Sequence, residues 1–229
     1  MRTQTFISSM VGVVAAVAVA GSANAGVTID SFTTSPVTQD RTSYGSIFNS
    51  RSYGTTGDTG SNTPEINTVT NRLVADTGDG SITTYWENYE ANGNVGPFIN
   101  LSQLSTITFD VTSLAASKIT FSIQQRTGDL DSSGSAGSVR WTNVAVGAGS
   151  SSVTLTVGQN SGGVWSVSGN GTAALSNVSY MSMRLGYTGT GAVNFVGSIG
   201  NLQYNLVPAP GAFALLGAAG LVGARRRRN

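Results

Sequence analysis

Along much of this chain apolar side chains return at every second position. Ile107, Phe109 and Val111 alternate with Thr106, Thr108 and Asp110, and Ile119, Phe121 and Ile123 alternate with Thr120, Ser122 and Gln124. Val153, Leu155 and Val157 repeat the pattern, as do Met181, Met183, Leu185 and Tyr187 around Ser182, Arg184 and Gly186. A period of two places successive side chains on opposite faces of an extended strand, so each run predicts a strand with one buried face and one small, polar, solvated face. Clusters of Gly, Ser, Asn and Asp at 54–61, 128–138 and 158–163 supply the turns between them. Ile199, Leu202, Tyr204 and Leu206 predict a last strand that ends just before Val207. The body shows no helical period. Many short strands separated by turn signals indicate a mainly β domain, an antiparallel two-sheet sandwich of jelly-roll type. Residues 31–62, rich in Ser, Thr and Gly, have the least regular pattern and read as a long surface loop or a partly disordered arm.

The two ends break the pattern. Arg2, the apolar stretch Val11 to Ala20 and the small-x-small triplet Ala23-Asn24-Ala25 have the form of a secretory signal peptide over residues 1–25, cut after Ala25 by a signal peptidase. At the other end, Val207-Pro208-Ala209-Pro210 leads into the apolar run Gly211 to Ala224 and then into Arg225, Arg226, Arg227 and Arg228. Fourteen helical residues reach about 21 Å at the helical rise, short of a hydrocarbon core of about 30 Å. The arginine block stops translocation and holds that end on the cytoplasmic side. Such a run holds a precursor in the bilayer transiently, and Pro208 and Pro210 keep the backbone before it extended.

This tail resembles a PEP-CTERM sorting signal: a Pro-x-Pro entry, a short Gly/Ala/Leu helix and a terminal arginine cluster in that order. Ala209 stands where the family usually has glutamate, which makes this a VPAP variant. The resemblance covers residues 207–229. It implies an exosortase-like membrane protease as a partner, a membrane-held precursor, and an exported bacterial protein of the kind associated with exopolysaccharide and biofilm matrix. The expected organisation is a signal peptide at 1–25, a β-sandwich ectodomain at 26–206 and the sorting signal at 207–229.

Charge and composition sharpen the reading of the body. Residues 26–206 hold all eleven acidic residues but only seven basic ones, a formal charge of −4 against +1 for the whole chain. Without a basic stripe, nucleic acid is not an expected partner. The chain has no cysteine, so the domain stands on its apolar core without disulfides. Histidine is absent too. Those absences remove nitrogen- and sulfur-ligated metal sites, Ser-His and Cys-His pairs, and the usual general base near neutral pH. The chain therefore reads as a non-enzyme.

Candidate chemistry collects in Tyr85-Trp86-Glu87-Asn88-Tyr89-Glu90. Aromatics that stack on the apolar face of a sugar ring, beside carboxylates and amides that bond its hydroxyls, make Tyr85, Trp86, Glu87, Tyr89 and Glu90 a candidate carbohydrate site. In a strand Tyr85, Glu87 and Tyr89 share one face and Trp86, Asn88 and Glu90 the other, so one set faces the core. The same residues also read as an ordinary core tryptophan with solvated neighbours. Glu87 and Glu90 fall on opposite faces, the wrong arrangement for a glycosidase pair. Trp141 and Trp165, flanked by Val, Thr and Ser, read as core. Asp129 and Asp131 in Asp129-Leu130-Asp131-Ser132-Ser133-Gly134 are candidate Ca²⁺ ligands, and Asp76 and Asp79 a second such pair; both stretches also read as plain Asp/Gly turns. Calcium is the one cofactor for which there is a candidate. Two functions remain: a non-catalytic cell-surface or matrix protein acting in display or adhesion, and a carbohydrate-binding module whose partner is an extracellular polysaccharide.

Overall fold

Alternating side chains form half-buried strands only when a second sheet covers the apolar face, and this chain supplies both sheets. The computed structural model describes residues 26–33, 42–43, 47–57, 63–88, 96–127, 134–187 and 193–207. The expected signal peptide and the sorting signal beyond Val207 lie outside them. Among the described residues no helix is long and apolar enough to cross a membrane.

The strands, in chain order, are β1 (Val27–Asp30), β2 (Thr42–Ser43), β3 (Ser50–Thr56), β4 (Glu65–Asn67), β5 (Arg72–Asp76) and β6 (Ser81–Glu87). They continue as β7 (Leu104–Ser113), β8 (Ser117–Thr127), β9 (Gly134–Val146) and β10 (Gly149–Thr156). After β11 (Val164–Gly169) a 3₁₀ turn at Gly171–Asn177 leads into β12 (Tyr180–Leu185), and β13 (Val196–Leu206) ends the series. Sheet I has the order β10-β7-β13-β5-β4, with β1 also paired to β13; sheet II has the order β11-β9-β8-β12-β6-β3-β2. Every pairing is antiparallel.

The pairings are nested. β8 pairs with β9, β7 with β10, β6 with β12 and β5 with β13, so the chain doubles back on itself at the β8–β9 hairpin and the double ribbon wraps around one core. Successive strands of the ribbon fall in alternate sheets, giving β5-β13-β7-β10 opposite β6-β12-β8-β9. That is the jelly roll, two interlocked Greek keys. The predicted alternation holds through it: Ile107, Phe109, Val111, Ile119, Phe121, Ile123, Leu155, Met181, Met183 and Leu185 are all buried in one core.

Two irregularities keep the apolar residues inside. In β13 the buried set passes from Ile199 to Leu202 and Tyr204, a change of parity absorbed by a bulge between Gly200 and Gln203 where Asn201 takes φ 50°. In β9, Phe121 faces Trp141 and Ile119 faces Val144, so β9 carries one extra residue; Asn143, at φ 56°, is turned outward while Trp141 and Val144 both stay in the core.

The structure corrects the loop expected over residues 31–62. That stretch carries β3, paired along its length with β6, and it buries Phe32, Phe48, Arg51 and Tyr53. The alternation was masked because one of the inward positions is an arginine. Its partner is Asp30 of β1, whose Oδ2 lies 2.7 Å from Arg51 Nη1, so sheets I and II are joined through the core by an ion pair with both side chains 2% exposed or less. Gly54 to Thr56, expected in a turn, belong to the same strand, and Gly134 to Ser138, also expected in a turn, open β9.

Candidate functional site

The Tyr85–Glu90 stretch divides between the two sides of sheet II, and the division overturns part of the sugar-site expectation. Trp86 points inward and is 0% exposed. Its indole Nε1 donates to Asp30 Oδ2 at 2.8 Å, beside the Arg51 pair, while Asp30 Oδ1 accepts the Phe32 main-chain N–H at 2.6 Å. A ring sealed in the core cannot stack on a ligand, so Trp86 is a core residue and not part of a sugar site. Trp141 is core as expected, its Nε1 donating to the main-chain oxygens of Thr156 and Gln159, with the half-buried Trp165 ring edge-on to it at 4.7 Å. Asn88 secures a neighbouring loop, accepting from Asn49 N at 2.7 Å and donating to Ile47 O at 3.1 Å. Tyr89 and Glu90 lie outside the described residues, as do Asp129 and Asp131. Asp76 caps its own turn, its Oδ1 accepting Gly78 N at 3.0 Å, and no group of three or more metal-binding side chains occurs among the described residues.

Tyr85 and Glu87 point the other way, onto the outer face of sheet II, where strand register sets side chains in rows. One row runs Ser52, Tyr85, Ser182, Ser122, Arg140 across β3, β6, β12, β8 and β9. Serines in the middle with a tyrosine and an arginine at the sides make a trough, because depth on a sheet face comes from the difference in side-chain length. The next row, Gly54, Thr83, Arg184, Thr120, and its neighbour Ser50, Glu87, Tyr180, Gln124, Ser138 extend the trough along the strands. The result is a groove of ≈ 460 Å³ whose lining includes Tyr85, Tyr180, Tyr187, Arg140, Arg184 and Gln124.

Each wall has a local cause. Tyr85 and Tyr180 sit with ring centroids 5.7 Å apart. Gly54 leaves room for the Tyr85 ring, since a Cβ there would stand 3.0 Å from the Tyr85 hydroxyl oxygen. Arg126 stacks its guanidinium 3.7 Å from the Tyr180 ring centre and pairs with Glu87 Oε1 at 3.2 Å. Burial, opposed by the Arg126 charge and a hydrogen bond with Ser182, pushes the Tyr180 phenol above its ordinary range, so it stays neutral. Gln124 Nε2 donates to Ser122 Oγ at 3.1 Å on the floor. The β9 bulge presents Thr142 and Asn143 to the groove.

Tyr187 corrects a further expectation. Alternation from Met181 puts it on the core face, yet it lines the groove, half-buried, with Lys118 Nζ 5.2 Å from its ring centre. The strand ends at Leu185, and Gly186 at φ 78° turns the chain so that the next side chain emerges outside. Tyr180, Arg184, Arg140 and Tyr187 were not singled out by local pattern, although Tyr180 and Arg184 fall at the outward positions of a strand whose inward Met-x-Met-x-Leu set was plain.

A second hollow, of ≈ 620 Å³, lies on the outer face of sheet I among Glu65, Asn67, Arg72, Asp76, Leu114 and Ser198, and no aromatic side chain lines it.

No protein-family model matches the chain, and no curated protein matches it in sequence. Among solved structures it is similar to the family 11 carbohydrate-binding module of the cellulosomal cellulase Lic26A-Cel5E of Clostridium thermocellum, at 14% identity and TM-score 0.47 over 81% of this chain and 97% of that one. A structure of a family 11 module of the same organism, in complex with a β-1,3-1,4-mixed-linked tetrasaccharide, matches at 14% identity and TM-score 0.43 over 74% and 96%. An agarase, AgWH50C, matches at 10% identity and TM-score 0.48 over 80% of this chain, which spans 26% of the agarase. These are likenesses of architecture at TM-scores below 0.5, and the functional reading rests on the groove itself.

Proposed function

We propose that this is an exported, non-catalytic carbohydrate-binding protein that holds a polysaccharide chain in the groove on the outer face of sheet II. The observation that supports it is the combination of two half-buried tyrosines, Tyr85 and Tyr187, with a floor of Ser122, Ser182 and Gln124 and walls of Thr83, Thr142 and Asn143. Aromatic faces receive the C–H face of a pyranose ring, and hydroxyl and amide groups can both donate to and accept from its hydroxyls. A trough across four strands, β6, β12, β8 and β9, suits an extended polymer better than a single small molecule, which favours an enclosed pocket. Of the residues singled out from sequence, Tyr85 carries this reading; Glu87 serves it indirectly by holding Arg126 over Tyr180. The test is a glycan array probed with the protein: binding that is lost in Tyr85→Ala with an unchanged thermal midpoint supports the groove, and wild-type signal that Tyr85→Ala leaves intact rejects it.

The tail's resemblance supports a further part of the same reading. The precursor is exported with removal of residues 1–25 by a signal peptidase, paused in the membrane by residues 211–228, and cut near Val207 to Gly211 by an exosortase-like protease, leaving the sandwich at the cell surface or in the matrix. There it would act in adhesion or display through the polysaccharide it holds. β13 ends at Leu206 and the Val207 N–H still donates to Gln103 O at 2.7 Å, so the sandwich holds the chain up to the first residue of the motif and a protease would act beyond it. Intact mass of the mature protein from its native cells tests this: a C-terminus near Pro210 is expected, and a species retaining Arg225 to Arg228 rejects it.

A further inference from the structure

Charge within the groove runs against charge in the body. Among the described residues no carboxylate lines it, whereas two arginines do, Arg140 and Arg184. Lys118 stands at the same end beside Tyr187. Of the acidic side chains with described positions, Asp30 is in the core, Glu65 and Asp76 line the hollow on sheet I, Asp79 lies in the turn between β5 and β6, Asp110 bonds Asn201 on sheet I, and Glu87, the one on this face, is paired with Arg126 outside the lining. A body of formal charge −4 has thus gathered four of its seven basic residues, Lys118, Arg126, Arg140 and Arg184, on one sheet face.

The two groove arginines differ from the other described arginines in what they touch. Arg51 and Arg126 each have a carboxylate partner. Arg72 lies flat on sheet I, bonded to Ser198 Oγ at 2.7 Å, to Thr112 Oγ1 at 3.3 Å and to main-chain oxygens of Asp110 and Ser198. Arg184 has one long bond, Nε to Thr83 Oγ1 at 3.4 Å, and among the described residues neither Arg140 nor Arg184 forms an ion pair; both are exposed. A guanidinium offers five N–H donors and no acceptor. Neutral sugar hydroxyls must also donate, and carboxylates are their usual strong acceptors, yet the described lining supplies only neutral acceptors. A carboxylate or sulfate group accepts only, and two donors of the fork of Arg bind it in parallel.

We propose that the polysaccharide held in this groove is anionic, with its carboxylate or sulfate groups bound by Arg140 and Arg184 while its rings stack on Tyr85 and Tyr187. The proposal rests on the carbohydrate reading of the groove and adds the ligand's charge class. Arg140 and Arg184 are offset across three neighbouring strands, roughly 10 Å apart in the direction across the sheet, so they would meet charges on different sugar units of one chain.

The full-length protein is titrated with polygalacturonate, a sulfated galactan and a neutral mixed-linkage β-glucan, at low and at raised NaCl. Expected is binding to one or both anionic polymers, weakening as salt shortens the screening length, with the preferred polymer telling carboxylate from sulfate. Arg140→Gln with Arg184→Gln is expected to lower that affinity at least about tenfold, the Lys pair to recover part of it, and Tyr85→Ala to lower it as well. Equal or tighter binding to the neutral glucan, unaffected by the Gln pair, overturns the anionic assignment and leaves the groove reading intact. Binding to the anionic polymers that survives both the Gln pair and Tyr85→Ala places the contact elsewhere and overturns the proposal too. Binding to none of the three defeats the groove reading, and the proposal with it.

Discussion

Two clusters on opposite sides of sheet II are built from the same three parts, an arginine, a carboxylate and an aromatic ring. Inside, Arg51 pairs with Asp30, which also accepts the Trp86 indole N–H, and all three side chains are 2% exposed or less. Outside, Arg126 pairs with Glu87 and stacks on Tyr180, with Arg126 19% and Glu87 7% exposed. Trp86 and Glu87 are consecutive residues of one strand, so the two clusters begin one peptide bond apart. What separates them is water. The inner cluster is closed to water, which makes it a fastening between sheets I and II. At the outer cluster solvent takes over part of any lost bond, so the same groups can shape a ligand surface at small cost to stability.

The comparison breaks most visibly at Asp30. Asp30→Ala removes the carboxylate that faces the buried Arg51 at 2.7 Å and the acceptor of Trp86, and should cost about 3 to 5 kcal/mol in a urea unfolding curve. A cost near 1 kcal/mol would mean that water reaches the site and the contrast between the clusters fails. Trp86→Phe retains most of the ring but removes the indole donor; about 1 to 3 kcal/mol is expected, with glycan affinity of the folded protein unchanged. Arg126→Ala removes the outer counterpart of Arg51. Its expected cost is about 1 kcal/mol, from a partly exposed ion pair and a cation–π contact, and its main effect should be on glycan binding through the freed Tyr180 ring. If Arg126→Ala destabilises as much as Asp30→Ala, the outer cluster is also structural.

The smallest effect appears only in alkali. Burial raises the Tyr180 phenol above its ordinary value of 10.0, and burial raises Tyr204 in the same direction. The folded state therefore holds these protons more tightly than the unfolded chain. Their contribution is fully present below pH 10 and is lost as pH climbs from the unfolded value toward the raised folded one. Denaturation curves taken between about pH 8 and about pH 11 should show stability falling at the upper end. Tyr180→Phe should flatten part of that fall and leave the Tyr204 part. An unchanged slope would mean that the Tyr180 hydroxyl is better solvated than its place beneath Arg126 implies.

The sandwich was legible wherever inward positions were all apolar, as in β7, β8 and β12. It was illegible in β3, because Arg51 interrupts the alternation and its justification, Asp30, lies on a strand of the other sheet. The candidate site was legible in part. Tyr85 does border the groove, but the adjacent Trp86, the larger and more inviting aromatic, belongs to the core. A run such as Thr84-Tyr85-Trp86-Glu87 has two faces of similar chemistry, and no local property says which will be covered. Tyr187 was assigned to the wrong face because one left-handed residue, Gly186, ends the alternation before it.

By itself the sequence determined the β class, the antiparallel character implied by short strands and tight turns, and the loss of every chemistry that needs histidine or cysteine. Those follow from residue type and spacing within a few positions, which is the range over which a strand's period acts. Tertiary structure alone decided which face of β6 meets the core, where the charge of Arg51 is neutralised, and that Tyr85, Ser182, Ser122 and Arg140 share one row. Those four residues come from four strands spread between positions 85 and 182, and hydrogen-bond register across a sheet is set by packing of the whole core. A groove is a property of neighbours across strands, so it exists only after the strands have paired.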